Sequence, residues 1–351
     1  MKAQCRWQVI GPKRWPSPRT CDIIHRLSHP FRRILVPNRL NQNVTLSSGT
    51  FLFIIGLFTL WGGNVVAIKV GLRGLPPFGM AALRFILAGL FLAVWMRVQS
   101  VSFRLDRREV FHHTINGISF TAQVALFYLG VERTSASYAS ILINSNPFFV
   151  LLLAHFFVAG DRLTAQKVFG LTLAFAGVAF LFAGQIGDGR WLGNALVVAS
   201  AALLGARIVY VKRLISTMEP SQVVFWQMVV GVPLFLWMSR LTEAGRAWHF
   251  SPAVTTAILF QGIVIGGFCF LAATTLLQRH NPSTLSVFSF FIPLSGVSLS
   301  YLLLGDPMTR TLVLSVAFVA VGIALVHRPA TTRSVTTDGD EVEIPTADPY
   351  H

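Results

Sequence analysis

The stretch Phe51-Leu-Phe-Ile-Ile-Gly-Leu-Phe-Thr-Leu-Trp-Gly-Gly-Asn-Val-Val-Ala-Ile-Lys-Val70 carries one charge, Lys69, in twenty consecutive residues. A helix of that length rises about 30 Å, the thickness of a bilayer's hydrocarbon core. Comparable apolar runs recur almost to His327 with only short breaks between them. Over its 351 residues the chain is 53% hydrophobic and 12% charged, where a soluble domain carries about a quarter charged. Too few charges are present to build a water-soluble surface, so the solvent is the membrane.

Ten spans are predicted. The first five are Phe51 to Val70, Phe78 to Met96, His112 to Gly130, Ser137 to Val158 and Gln166 to Gly184. The second five are Trp191 to Val211, Gln222 to Ser239, Thr255 to Leu277, Ser283 to Leu304 and Thr309 to His327. Runs of about twenty apolar residues satisfy their own backbone hydrogen bonds only as helices, whereas barrel strands are shorter and alternate in polarity. The expected fold class is therefore an all-α polytopic membrane protein.

The net charge of +15 is a matter of topology rather than of nucleic-acid binding. Nine of the 29 Lys and Arg lie in the first fifty residues, and most others sit in short loops. With the N-terminus in the cytoplasm, eleven fall on the inner side: Arg97, Arg104, Arg107, Arg108, Arg162, Lys167, Lys212, Arg213, Arg279, Arg328 and Arg333. Six fall outside: Arg73, Arg133, Arg190, Arg240, Arg246 and Arg310. With the tail the count is twenty to six, so both termini are expected in the cytoplasm.

Residues 1–49 contain a single acid, Asp22, and no run of spanning length, and read as a basic disordered tail. An Arg-rich, acid-poor leader also resembles an organellar transit peptide, but a tail that holds the N-terminus inside is the simpler account. Residues 329–351 turn polar and acidic, with Asp338, Asp340, Glu341, Glu343 and Asp348, and also read as disordered. Cys5, Cys21 and Cys269 have no metal or redox spacing, and no metal or cofactor is expected.

The membrane region is an internal repeat. Lys69, Pro77 and Arg84 align with Lys212, Pro220 and Gln227 at an offset of 143. Arg133, Ser137 and Pro147 align with Arg279, Ser283 and Pro293 at 146, and Gly160-Asp161 and Gly177 with Gly305-Asp306 and Gly322 at 145. The repeats occupy residues 50–185 and 190–328, five spans each. An odd number of crossings makes the second copy enter from the opposite face. Inverted repeats of this kind are a recurrent architecture of secondary transporters, with substrate near the midplane between the halves.

The motifs resemble a known family. Trp61-Gly-Gly-Asn-Val-Val-Ala-Ile-Lys69, Gly-Leu-Pro-Pro77 and Ala-Ala-Leu-Arg84-Phe are similar to the first helices of an EamA-type drug/metabolite transporter. So are Phe127-Tyr-Leu-Gly-Val-Glu-Arg-Thr-Ser-Ala-Ser137, Ile-Asn-Ser-Asn-Pro147 and the Gly160-Asp161-Arg turn. Asn-Pro-Ser283, Phe-Ile-Pro293 and Gly305-Asp306 repeat the pattern in the second half. The resemblance implies ten helices in two inverted halves and transport of small metabolites such as amino acids or drug-like amphiphiles, with export across the bacterial inner membrane the expected direction. The family also includes carriers of sugars and nucleotide sugars.

Charges inside membrane helices cost roughly 2.5–3.5 kcal/mol each and are expected to face a cavity or a partner. Lys69, Arg84 and Arg207 meet that description, and no predicted span interior contains Asp or Glu. Arg84 lies seven residues past Pro77 and shares a helical face with Ala81 and Ala88, so that neighbouring helices can close around it. It reads either as a carboxylate anchor or as a structural donor to helix-end carbonyls. For Lys69 and Arg207, near opposite span ends, snorkelling to the interface competes with a cavity role.

Asn144 and Asn146 precede Pro147, which removes a backbone donor and can free a carbonyl; Pro293 repeats the kink in the second half. Asn64, Tyr210 and Gln227 complete the candidate substrate-binding set, and Trp61, Tyr128 and Trp226 are further aromatic candidates. Gly262 and Gly266 form a GxxxG pattern that implies close helix packing, within the chain or in a homodimer. No constellation suited to catalysis is present: His112-His113 and Asp106-Glu109 read as loop polarity, and His155 as structural. The expected partners are a small-molecule substrate and the lipid bilayer. An exchanger of phosphorylated metabolites and a non-transporting scaffold remain the alternatives.

Overall fold

The computed structural model describes residues 48–157, 190–280, 285 and 287–326, with seven helical positions between 169 and 180. Residues 1–47, most of the expected fifth span, the Gly160-Asp161 turn, Asn281 to Thr284 and the acidic tail lie outside the described residues. What is described is helical, with no strand. In chain order the helices are α1 (Ser48–Gly71), α2 (Pro77–Val98), α3 (Arg107–Arg133), α4 (Ala136–Leu142), α5 (Asn146–Phe157) and α6 (Trp191–Leu214). They continue with α7 (Pro220–Thr242), α8 (Pro252–Leu259), α9 (Phe270–Arg279), α10 (Phe291–Leu304) and α11 (Arg310–Val326). A 3-10 turn, Ile143–Ser145, joins α4 to α5, and a π-helical stretch, Phe260–Cys269, joins α8 to α9.

Seven of the described units are long and apolar enough to cross a membrane, and Phe291–Leu304 is a shorter apolar helix. The seven agree with predicted spans one to four and six to eight to within a few residues at each end. Local chemistry fixes their starts. Asp106 accepts from Glu109 N at 2.7 Å while Glu109 returns a bond to Asp106 N at 2.9 Å, a capping box at the head of α3. This acidic pair, read from the sequence as loop polarity, therefore sets a helix boundary. Pro77, Pro220 and Pro252 occupy first turns, where a missing N–H costs nothing.

The two repeats pack in corresponding ways. α1 lies on α10 as α6 lies on α5; α2 lies on the π-helical stretch as α3 lies on α7; α2 and α7 face each other across the centre. Gly62 and Gly205, 143 residues apart, make the first of these contacts possible. A Cβ on Gly62 would overlap Ile292 O and Gly296 N, and one on Gly205 would lie 2.7 Å from Phe149 Cβ and 3.0 Å from Val150 N. Gly262 and Gly266 close the α2 contact: Gly262 has Leu87 Cβ at 2.6 Å and Arg84 O at 2.9 Å from where a Cβ would stand, and Gly266 has Ala88 Cβ at 2.8 Å. The GxxxG pattern thus serves packing within this chain.

The helix connections gather at two ends of the bundle. At one end, His249 N donates to Gly74 O at 2.8 Å, Arg246 pairs with Glu132 at 3.1 Å, and Thr134 Oγ1 donates to Asn194 Oδ1 at 2.7 Å. At the other, Gln222 Nε2 donates to Ser102 O at 2.8 Å and the His112 ring lies 2.8 Å from the Tyr210 hydroxyl. The first end therefore collects the C-terminus of α1 and the N-terminus of α6. α1 and α6 run in opposite directions, although their sequences correspond.

Candidate functional site

A cavity of about 270 Å³ opens between the repeats. Its walls are mostly apolar and aromatic, with Phe58, Trp61, Phe127 and Phe270 prominent. Into this wall project Asn64 from α1, Arg84 from α2, Asn146 from α5, Arg207 from α6 and Gln227 from α7. The sequence nominated all five. Two are related to two others by the repeat: Arg84 corresponds to Gln227, and Asn64 to Arg207, each at an offset of 143. Within these two pairs, each half contributes one arginine and one amide, in exchanged positions.

The two guanidiniums are buried, Arg84 at 3% and Arg207 at 8% exposure, and among the described residues neither pairs with a carboxylate. Arg84 Nη1 donates to the Tyr128 hydroxyl at 2.8 Å, which donates to Gln261 Oε1 at 2.8 Å, and Gln261 Nε2 ends the chain on Ala67 O at 3.1 Å. Arg207 Nη2 donates to Gln227 Oε1 at 2.8 Å and lies 3.5 Å from Asn116 Oδ1, while Nη1 is 3.4 Å from Gln123 Oε1. Gln123 is held in turn by Ser200 at 2.9 Å. Arg84 sits 4.6 Å from the Phe85 ring centroid and Arg207 4.8 Å from that of Phe120. Ring quadrupoles and neutral amide oxygens thus replace the acids that would normally offset two buried cations. Among the described residues, Nε of each arginine is buried without a partner.

Other nominated residues stand elsewhere. Lys69 is not among the residues that line the cavity: its ammonium donates to Val131 O, Glu132 O and Thr134 O at 2.8, 3.2 and 2.6 Å, capping the end of α3. Lys212, its repeat mate, caps α9 in the same way through Leu277 O at 2.5 Å and His280 O at 3.1 Å. These carbonyls correspond to those of Val131 and Thr134 at the offset of 146. A C-terminal helix end carries partial negative charge, which explains a cation there. Tyr210 contacts His112 rather than the cavity. Asn144 is buried outside the lining and donates to Ser140 O at 2.8 Å.

Pro147 and Pro293 each stand in the first turn of an α-helix that follows a 3-10 turn, Ile143–Ser145 and Val287–Phe290. The sequence had placed Lys69, Arg84 and Arg207 at different depths. The structure brings the last two to one cavity and sends the first away. Gln123, Thr274 and Ser289 also line the cavity and were not singled out. As single neutral polar residues in apolar runs they gave no signal of which face they occupy. Gln261, buried and bonded to Tyr128, escaped notice for the same reason.

The arrangement has known relatives. The family model described as the EamA-like transporter family matches twice, at residues 48–183 and 191–328. An uncharacterized transporter of Archaeoglobus fulgidus is 30% identical over 271 residues, 77% of this chain and 95% of that protein. A probable amino-acid metabolite efflux pump of Escherichia coli is 27% identical over 282 residues, 75% of this chain and 90% of that one. A solved structure with a TM-score of 0.63 covers 80% of this chain and 97% of its own, at 20% identity, and shares the fold. The chain belongs to the EamA-like transporter family and is an integral membrane transporter built from two copies of that family's unit.

Proposed function

We propose that this protein is a secondary transporter of small organic anions that carry an apolar group, amino-acid metabolites among them, working by alternating access between two inverted five-helix repeats. The observation that carries the reading is the pair of buried arginines, unmatched by acids, on the wall of an otherwise apolar cavity between the repeats. A carboxylate there would complete the charge balance that the protein leaves open, and the aromatic wall suits an apolar remainder. About 270 Å³ lies near the lower end of small-molecule sites and favours a compact cargo. The name of the Escherichia coli relative, a probable amino-acid metabolite efflux pump, points the same way.

The topology in this reading is ten spans with both termini in the cytoplasm, in a bacterial inner membrane, with export as the working direction. The end of the bundle formed by the α1–α2, α3–α4 and α7–α8 connections holds Arg73, Arg133, Arg240 and Arg246, from the sparser set of loop cations, and is the external end.

Exchange of phosphorylated metabolites is a second reading, favoured because Arg84 and Arg207 share one cavity. It ranks lower because three of the five N–H donors of Arg207 already face amide oxygens. The test is counterflow in liposomes loaded with pooled amino acids, sugar phosphates, nucleosides or drugs, with Arg84→Ala in parallel. Uptake of a carboxylate-bearing class that disappears in a folded Arg84→Ala supports the first reading. Uptake restricted to sugar phosphates favours the second, and no counterflow of any class favours a scaffold.

A further inference from the structure

Among the described residues, the cavity lining reaches one end of the bundle. Val211 in the last turn of α6, Val223 in the first turn of α7 and Leu277 in the last turn of α9 all line it. All three lie toward the end where Gln222 meets Ser102 and where Lys212 caps α9. None of its described lining residues belongs to the helix turns or loops at the opposite end. The opposite end is closed, and the ties that close it run from the second repeat to the first.

The central tie is a carboxylate. Glu243, just past the end of α7, is 6% exposed, and its two oxygens accept from Phe78 N at 2.7 Å and Gly79 N at 3.0 Å. These are free N–H groups of the first turn of α2, the helix that carries Arg84 into the cavity. Charge-assisted bonds to a helix N-terminus are among the stronger contacts a surface can make, because the partial positive charge of the helix end adds to them. Asp306, at the end of α10, makes a second tie, accepting from both the backbone N–H and the hydroxyl of Ser137 at 3.2 and 3.1 Å, and from Ser300.

The Glu243 tie does not follow from the repeat, whereas Asp306 and Ser137 have Asp161 and Ser283, outside the described residues, as their repeat mates. The position that corresponds to Glu243 at the offset of 143 is Ser100, a small neutral residue in the α2–α3 connection with φ of 56°. At the cavity's open end, the contact in the matching place is a neutral one, Gln222 to Ser102 O. Among the described residues, the Glu243 latch therefore stands at one end only, where this conformation is shut.

We propose that Glu243 and Asp306 are the latches of the external gate, carboxylates of the second repeat that hold first-repeat helices and must let go before the cavity can open outward. The structure is then the state open to the cytoplasm, and Glu243 is a positioning residue whose release lets α2 swing with Arg84. This rests on the transporter reading above, and its test reads the gate separately from transport.

The experiment uses the full chain with its three cysteines replaced by alanine, Val65→Cys as a reporter in the cavity wall, and a membrane-impermeant maleimide applied to right-side-out or inside-out vesicles. Ala247→Cys, in the exposed loop beside Glu243, identifies which vesicle side is the latched end. The expected result is slow labelling of position 65 from the latched side in the parent. The rate should rise about tenfold in Glu243→Gln, which keeps the shape but removes the charge-assisted bonds. Asp306→Asn should raise it as well, and Glu243→Asp should fall between. Unchanged labelling in folded Glu243→Gln and Asp306→Asn, with counterflow intact in the parent, overturns the latches and leaves the transporter. Faster labelling with no counterflow of any pooled class in the parent supports the latches as a closure and counts against the transport reading. Should Glu243→Gln fail gel filtration as a monodisperse species, Glu243→Asp and Asp306→Asn decide.

Discussion

Phe85 and Phe120 meet edge to face with ring centroids 4.8 Å apart, and each ring carries one of the two buried guanidiniums, Arg84 at 4.6 Å and Arg207 at 4.8 Å. The ring pair places the two cations on a shared aromatic support between α2 and α3. Each cation is paired with π-faces and neutral oxygens, which leaves a net positive cavity. That asymmetry of charge is the feature a carboxylate cargo would complete.

Arg84→Lys tests whether the planar guanidinium matters. A lysine keeps the charge but loses the fork that reaches Tyr128 while stacking on Phe85. Counterflow of the carboxylate class should fall at least about tenfold, as for a lost bond between charged partners of roughly 1.5–3 kcal/mol, and the melting temperature should fall with the bond to Tyr128. Rates measured alongside thermal unfolding in detergent check both halves of the expectation.

Gln227→Leu removes the shortest bond of Arg207 and leaves the cation with contacts of 3.4 and 3.5 Å. It also strips Asn116 Nδ2 of its acceptor at 3.2 Å. The expected loss is about 2 kcal/mol of stability, as for a buried charged donor left short of a partner. Denaturation by heat or by a denaturing detergent reads it.

Lys69→Met separates capping from cargo binding. Three carbonyls at the end of α3 lose their donor, so the melting temperature should drop, and by more than in Lys212→Met, where two are lost. Half-saturation for cargo should be unchanged in both, because neither ammonium lines the cavity. A large rise in half-saturation for Lys69→Met would return that residue to the binding site.

Gly262→Ala and Gly56→Ala form a matched pair of one added methyl. At position 262 the methyl would meet Leu87 Cβ at 2.6 Å and the Arg84 carbonyl at 2.9 Å, which forces the π-helical stretch away from α2. At position 56 nothing lies within 4 Å. The first should destabilise by about 1–3 kcal/mol through overpacking, and the second should be neutral or stabilising by about 0.5–1 kcal/mol through helix propensity. Thermal unfolding of both variants, run side by side, distinguishes local crowding from a general intolerance of change.

Much of the fold was legible before any coordinates. Runs of about twenty apolar residues in a medium without water leave the helix as the only spanning form. The constant offset between Lys69 and Lys212 exposed the repeat, and Arg84, Arg207, Asn64, Asn146 and Gln227 stood out because a polar group in an apolar run must find a partner or a cavity. Glu243 did not stand out, because in sequence it belongs to a polar loop. Only the fold turns that loop inward, onto the head of α2.

By itself the sequence determined the solvent, the helices and the existence of two related halves, since each depends on composition and spacing along one chain. Tertiary structure decided which polar side chains share a space. Lys69 and Arg84 are each a lone cation in an apolar run. Lys69 has a long flexible stem that bends to the free carbonyls of α3, whereas the Arg84 guanidinium is held inward by Tyr128 and Phe85. The direction of a side chain depends on neighbours tens of residues away, and no local pattern encodes it.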